Sequence, residues 1–585
     1  MSPDAPHNPR HVPATDTPAQ AEGRPVAGPR EAGGGSTRFV GHAVLVSAFT
    51  LLSRLTGLAR DAALAAAFGL STVADAFFIG FLVPNLFRRL FGEGALTAAF
   101  IPHYTELRER DPVLARRFVS LVLTLLTVLL LALTVMAELG LWWLSSTLHG
   151  ETQGKAALAV HYTRIMLPYM PLICLVALAG GALQVHKKFG PPAAAPLVLN
   201  AVIIAATALA TAGFTRTDNT THVATLVAFA VLLAGVLQLA WQLAALQRTA
   251  GLTRCFAGVA PQVKAMLVMM GPMILGLAVF QVNALMDSLI AFFLSPPQGA
   301  PPGAPVSLLG WAFRAPLQNG DVAALQWSQR LYQFPLGVFG IAIATAIFPA
   351  LSAAAAKTNE LANHPDARPQ AAGEAFAAIL RQGLRLTVFI GLPASVGLLL
   401  VRVPLSRVVY ERGAFATGDS LRVATILAGY ATSVWAYSMM HTITRGFYAL
   451  KDAKTPLKIS VGMVALNLTL NLTLIWPLGA AGLAWSTAVS AIAQAALLLL
   501  FIRRRVAHPI DASVLKSWGR TALASAAMAA ALWPALWWFD PATLSRSGCA
   551  LLLCGMTLGG AAVVLVIAKL AGAEELRWVM RRRSV

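Results

Sequence analysis

Residues 53–106 read SRLTGLARDAALAAAFGLSTVADAFFIGFLVPNLFRRLFGEGALTAAFIPHYTE and place Arg54, Arg60, Asp61, Asp75, Arg88, Arg89 and Glu93 within two otherwise membrane-spanning stretches. An ionised side chain at the centre of a membrane helix costs roughly 2.5–3.5 kcal/mol even on a lenient insertion scale. A chain that carries several such groups turns them toward a watered cavity or a charged cargo. Four of the seven are arginines, whose planar fork matches phosphate and carboxylate. The chemistry this predicts is anion binding inside a helical bundle. Asp61 and Asp75 are placed to orient the arginines and limit their mutual repulsion. Arg88, Arg89 and Glu93, near the end of the second stretch, read equally well as side chains that snorkel to the membrane surface.

Other polar residues interrupt apolar runs further along. Arg330, in LQWSQRLYQFP, has no acidic neighbour in its own helix. Its partner must come from elsewhere: it either completes an anion clamp with the first arginines or sits at the membrane interface. Asp287, in FQVNALMDSLIAFFL, is a lone intramembrane carboxylate and a candidate for proton or sodium coupling. Asn467 and Asn471, four apart, share a helix face. With Thr487 they would supply oxygens for a hard cation, although such residues ordinarily hydrogen-bond between helices. Nucleotide-phosphate, serine-hydrolase and HExxH zinc motifs are absent, so energy must come from an ion gradient or the membrane potential. Cys174, Cys255, Cys549 and Cys554 form no CxxC pair and read as inert thiols.

The elements that must hold these residues follow from composition. The chain has 585 residues, 57% hydrophobic and 12% charged, against roughly 25% charged in soluble proteins. It is predicted to be an all-α polytopic membrane protein. The net charge of +20 comes from short basic clusters between apolar stretches, a topology signal rather than a nucleic-acid face. A span needs ~20 apolar residues. Fourteen are predicted, starting near Phe39, Val73, Arg117, Ala157, Pro192, Val223, Val263, Val322, Leu384, Leu421, Leu457, Gly479, Ser517 and Cys549. Basic residues follow the even-numbered spans, which predicts both termini in the cytoplasm. Arg402, Arg407 and Arg412 after span nine depart from that alternation.

Residues 1–37 read as a disordered tail without signal-peptide features. Two six-span blocks follow, 38–255 and 256–506, then a final pair, 507–572, and a basic tail, 573–585. TAAFIP (97–102) and TAIFPA (345–350) each lie one span into a block; transporters commonly place their substrate site between such repeats. The Pro- and Gly-rich loop 295–321 reads as flexible, with WAF offering a short interfacial helix. Arg54 and Arg60, about 120° apart on an ideal helix, would both face one cavity if span one bends or unwinds at Gly57.

SRLTGLARD, ADAFF, PNLFRRLFGEGA and AFIP, with GPMILG at 271, RLYQFPLGVFG at 330 and GFYALKDAKTPLKI at 446, closely resemble the MurJ (MviN) family of lipid II flippases, within the MOP exporter superfamily. The resemblance spans about residues 39–572. It implies fourteen transmembrane helices: two six-helix lobes of MATE-like pseudo-symmetry around a cationic cavity, plus two C-terminal helices forming a lipid-tail groove. It implies a transporter, not an enzyme, in the bacterial inner membrane. By alternating access it would move undecaprenyl-pyrophosphate-linked disaccharide-pentapeptide to the outer leaflet for peptidoglycan synthesis. The implied partners are lipid II, membrane lipids and the cell-wall synthesis machinery, with the chain acting as a monomer and without nucleic acid. No cofactor is implied beyond a coupling sodium ion or proton.

The family's essential arginines fall on Arg54, Arg60, Arg88 and Arg330, and its span-two aspartate on Asp75; Asp61 and Glu93 also match. The sodium site of some members would fall on Asp287, Asn467, Asn471 and Thr487, with Asn471 in place of an aspartate. Leu82 stands where some members have a cavity lysine, and Gln333 where an acid follows the span-eight arginine. A flippase for another polyprenyl-linked glycolipid is the neighbouring reading. Drug exporters would call for an acidic cavity, and an enzyme acting on polyprenyl pyrophosphates for paired metal-binding acids, which the sequence lacks.

Overall fold

A computed structural model describes residues 33–92, 95–147, 153–212, 220–297, 299–301, 303–308, 311–362 and 369–580. Glu93 and most of the predicted N-terminal tail lie outside the described residues. The tail's last five residues do not: helix α1 (Gly33–Phe68) begins among them. The first half continues with α2 (Thr72–Phe87), a π-helical turn (Arg88–Gly92), α3 (Ala95–Arg110), α4 (Pro112–Thr147), α5 (Gln153–Met166), α6 (Tyr169–Val185), α7 (Gly190–Thr211) and α8 (Thr220–Thr249). The second half holds α9 (Ala260–Phe293), α10 (Asp321–Pro335), a second π-helical turn (Leu336–Gly340), α11 (Ile341–Ala362), α12 (Pro369–Tyr410), α13 (Thr417–Ala431), α14 (Val434–Ala449), α15 (Lys454–Leu478) and α16 (Ala480–Ile502). Helices α17 (Ala512–Trp538), α18 (Arg546–Leu570) and α19 (Glu574–Met580) close the chain.

Among the described residues, α4, α7, α8, α12, α15, α16, α17 and α18 are each long and apolar enough to cross a membrane. The α5–α6 pair, bent by 41°, adds a ninth. The other predicted spans begin in α1, α2, α9, α10 and α13.

The repeated sequence has a repeated shape. Both copies run helix, π-helical turn, helix, with TAAFIP in α3 and TAIFPA in α11. Pro84 and Pro335 lie just upstream of the two π turns. A proline removes one helical hydrogen bond and crowds the carbonyl four residues back, which locally widens the turn. Ser71 starts α2 by accepting the Ala74 amide at 3.2 Å. Gly80 lets α2 close onto α5: a Cβ there would meet Met166 and the backbone of Tyr162 and Thr163 within 3 Å.

Helix α1 is continuous through Gly57 and is not unwound there; arginine stems are long enough to reach one cavity from an intact helix. Among the described residues of loop 295–321, WAF is a strand and not the short helix expected. The loop forms an antiparallel hairpin, β1 (Pro305–Leu308) with β2 (Trp311–Arg314), because WAFR is extended and pairs with PVSL. Phe313 meets the Trp476 ring at the end of α15, 5.5 Å away.

Arginine contacts tie both ends of the bundle; at the hairpin end Arg407 donates to the Pro541 and Leu544 carbonyls and Arg422 to that of Asn319. At the hairpin end, glycine turns interlock: the Ala414 amide donates to Ala66 (2.7 Å), and a Cβ on Gly69 or Gly413, both at positive φ, would strike the other turn's backbone. At the opposite end, basic side chains bind loop carbonyls and acids. Arg108 donates to Val185, Arg116 to Leu252 and Arg381 to His508. Arg385 there grips Glu574 (2.7 Å) and Glu575 (2.6 Å) of α19. The hydrogen bond and charge of Arg385 hold the Glu574 carboxyl below its ordinary value.

Candidate functional site

Helices α1, α2, α6, α7, α8 and α10 enclose a cavity of about 520 Å³, and Arg54, Arg60, Asp61, Arg88 and Arg330 all lie on its wall. Asp61 is the pivot. Arg60 donates to its Oδ1 through Nε (3.0 Å) and Nη2 (2.7 Å). Arg330, from the other half of the chain, approaches Oδ2 at 3.3 Å. The carboxylate that the sequence predicts to steady the arginines thus bridges two of them and joins the two halves.

Two asparagines position arginines on this wall. Asn200 accepts from Arg60 Nη1 (3.1 Å) and is itself held by its amide, which donates to the Ser53 carbonyl and Thr56 hydroxyl of α1. Asn85, one turn back, accepts from Arg88 Nε at 3.0 Å. Arg54 reaches across to the second π turn, where a Cβ on Gly337 would collide with its guanidinium. A smaller void of about 40 Å³ adjoins the cavity and shares Arg60, Asp61 and Arg330; Leu82 lines it. Gln333 lines the main cavity.

Asp75 lies elsewhere. It is fully buried, and its oxygens accept the backbone amides of Gly320 (2.8 Å) and Ala323 (2.9 Å). It caps α10 at the hairpin end and does not touch the arginines, contrary to the expected orienting role. Its spacing from Arg88, about 20 Å along the helix axis, already separates the two. Beside this cap Asp321 pairs with Arg422 at 2.6 Å. Arg89 is not on the cavity wall and reaches Gln281 of α9 at 3.4 Å.

Asp287, Asn467, Asn471 and Thr487 do come together, all buried. The Asn471 amide nitrogen donates to Asp287 (2.6 Å) and to Asn467 (3.1 Å), and the Asn467 nitrogen to Thr487 (3.4 Å). The second acid is missing and the lone carboxylate accepts an amide donor, while the Asn471 carbonyl oxygen is buried without a partner. As they stand, the four residues form an interhelical hydrogen-bonded cluster. Among the described residues no group of three or more His, Cys, Asp or Glu is placed to hold a metal.

Sequence reasoning missed Asn85, Asn200, Tyr169, Gln238 and Gln242, all on the cavity wall. Only the glutamines carried a signal, two amides four residues apart within apolar VLQLAWQLA.

The fold is similar to that of solved membrane transporters. A solved multidrug MATE transporter of the MOP superfamily, inward-facing, matches with a TM-score of 0.58 at 15% identity over 80% of this chain and 98% of its own. A solved structure described as "Lipid II flippase MurJ, inward closed conformation" matches with a TM-score of 0.69 at 23% identity, covering 92% of this chain and all of that one. The family model "Lipid II flippase MurJ" matches residues 64–545. A "Probable lipid II flippase MurJ" of Vibrio cholerae serotype O1 is 32% identical over 555 residues, 92% of this chain and 97% of the relative. The chain belongs to the MurJ family and is a multi-pass membrane transporter rather than an enzyme.

Proposed function

We propose that this protein carries lipid II from the inner to the outer leaflet of the bacterial inner membrane by alternating access, with the arginine cluster binding the pyrophosphate. The observation that carries this reading is the convergence of Arg54, Arg60, Arg88 and Arg330 on one cavity, drawn from both halves of the chain. A pyrophosphate brings two or more negative charges, and guanidinium forks bind such groups through paired, charge-assisted hydrogen bonds. Asp61 holds Arg60 and Arg330 together while no anion bridges them.

Fourteen spans follow if α2–α3, α5–α6, α10–α11 and α13–α14 each count as one. They make two six-span lobes, related by the repeated π turn, plus α17 and α18. The end opposite the hairpin, where the loops after the even-numbered spans lie, is assigned to the cytoplasm, with both termini. The head group crosses in the cavity while the prenyl chain stays in lipid beside α17 and α18, whose Leu523, Leu551 and Leu558 are exposed. The lobes rock about the site. The inside-negative potential favours outward passage of an anion by ~2.3 kcal/mol per charge per 100 mV.

The test is rescue of a strain depleted of its own flippase, read as growth and as outer-leaflet accessibility of lipid II. Arg54→Ala fails to rescue and Leu82→Ala rescues. Normal rescue by Arg54→Ala overturns the clamp.

A further inference from the structure

The cavity has two chemically distinct walls, and only the cationic one is used above. On the other, Gly235, Gln238 and Gln242 share one face of α8 at helical spacing. Gln238 and Gln242 are each 1% exposed, and neither side-chain carbonyl oxygen has a partner. The Gln238 amide nitrogen is committed to the Ala195 carbonyl at 2.6 Å, so it is the acceptor end that is left over. The Gln242 oxygen lies over Gly180, where a Cβ would approach it to 3.1 Å. Beside them the Tyr169 hydroxyl is also buried without a partner. That phenol is held in place: its ring stacks on Phe81 (6.2 Å, 23°), and a Cβ on Gly235 would strike it.

Leaving a buried polar atom without a partner costs free energy. Three such atoms, on residues that line one wall of one cavity, leave that wall with hydrogen-bonding capacity the fold itself does not use. The wall carries no charge and offers two acceptors and a hydroxyl, so it matches neutral donor groups, not phosphate.

We propose that Tyr169, Gln238 and Gln242 form a saccharide subsite that takes the hydroxyl and N-acetyl amide groups of the sugar attached to the pyrophosphate. This rests on the flippase reading above: the arginines hold the charge, and the amide wall reads what is attached to it. A site built around hydrogen bonds to a substrate discriminates against analogues lacking those groups, because its own polar atoms are then left unpaired.

The test measures binding of purified full-length protein in nanodiscs to three probes: undecaprenyl pyrophosphate, the same lipid carrying the N-acetylated disaccharide, and the disaccharide lipid with its pentapeptide. Tyr169→Phe and Gln242→Met each weaken binding of both sugar-bearing lipids, by about fivefold for one hydrogen bond, and leave the bare pyrophosphate lipid unchanged. Arg54→Ala weakens all three. Tyr169→Phe removes a hydroxyl that bonds to nothing in the fold, so its ligand-free melting temperature does not fall, which separates lost binding from lost folding. Equal weakening on all three probes, weakening only on the peptide-bearing lipid, or no weakening overturns the saccharide subsite. Failure of Arg54→Ala to weaken any probe instead overturns the flippase clamp.

Discussion

Replacing Asp61 with asparagine removes the charge that joins Arg60 to Arg330 while keeping the side chain's shape. The two pairs should respond unequally. Arg60 makes two short contacts to a carboxylate whose side chain is 5% exposed, and is itself only 12% exposed. A charge-assisted contact of that kind is worth roughly 1.5–3 kcal/mol. Arg330 stands 3.3 Å away with 39% of its side chain exposed, so solvent screening brings its share below about 1 kcal/mol. The assay is a pair of double-mutant cycles, Asp61→Asn with Arg60→Gln and Asp61→Asn with Arg330→Gln. Each is read from thermal unfolding in detergent. The expected coupling is about 2 kcal/mol for the first cycle and under about 1 kcal/mol for the second. A first cycle that closes at zero, or a second larger than the first, refutes this account of what holds the arginine wall.

Gly337→Ala should drive the Arg54 guanidinium out of its place and reproduce the Arg54→Ala defect in the rescue assay, although no charge is altered; full rescue would show that Arg54 does not depend on that glycine. Asp75→Ala leaves the Gly320 and Ala323 amides buried without their acceptor, a cost of about 3–6 kcal/mol for two charge-assisted bonds. It should lower the melting temperature well below that of Asp75→Asn, which keeps one acceptor; equal melting temperatures would refute the capping role. Asn471→Asp restores a second carboxylate beside Asp287, so exchanging potassium for sodium should raise the melting temperature of the variant and leave the parent unchanged. Sodium stabilisation of the parent would contradict the hydrogen-bonded cluster. Arg385 depresses the Glu574 carboxyl below its ordinary 4.5, so the α19 contact contributes in full above that value and is lost as pH falls through the folded value. The protection factor against hydrogen exchange at residues 574–580 should fall on acidification in the parent and be low at every pH in Arg385→Ala.

Much of this protein is legible in the order of its residues. Apolar run length is a local quantity, so the membrane class and the approximate places of the apolar helices could be read directly. The cost of charge in hydrocarbon singled out Arg54, Arg60, Asp61, Arg88 and Arg330, and all five line one cavity. Tertiary structure decided which partners meet. Asp75 looks like a companion to Arg60 in sequence but binds the start of α10. Arg330 finds its acid on α1, and Asn200, unremarked in an apolar stretch, fixes Arg60. Asp287 and Asn471, on helices far apart in the chain, meet as acceptor and donor. The reason is physical: helical periodicity tells which residues share a face, whereas the rotation and depth at which two helices pack, and hence what each polar atom touches, depend on every contact between them.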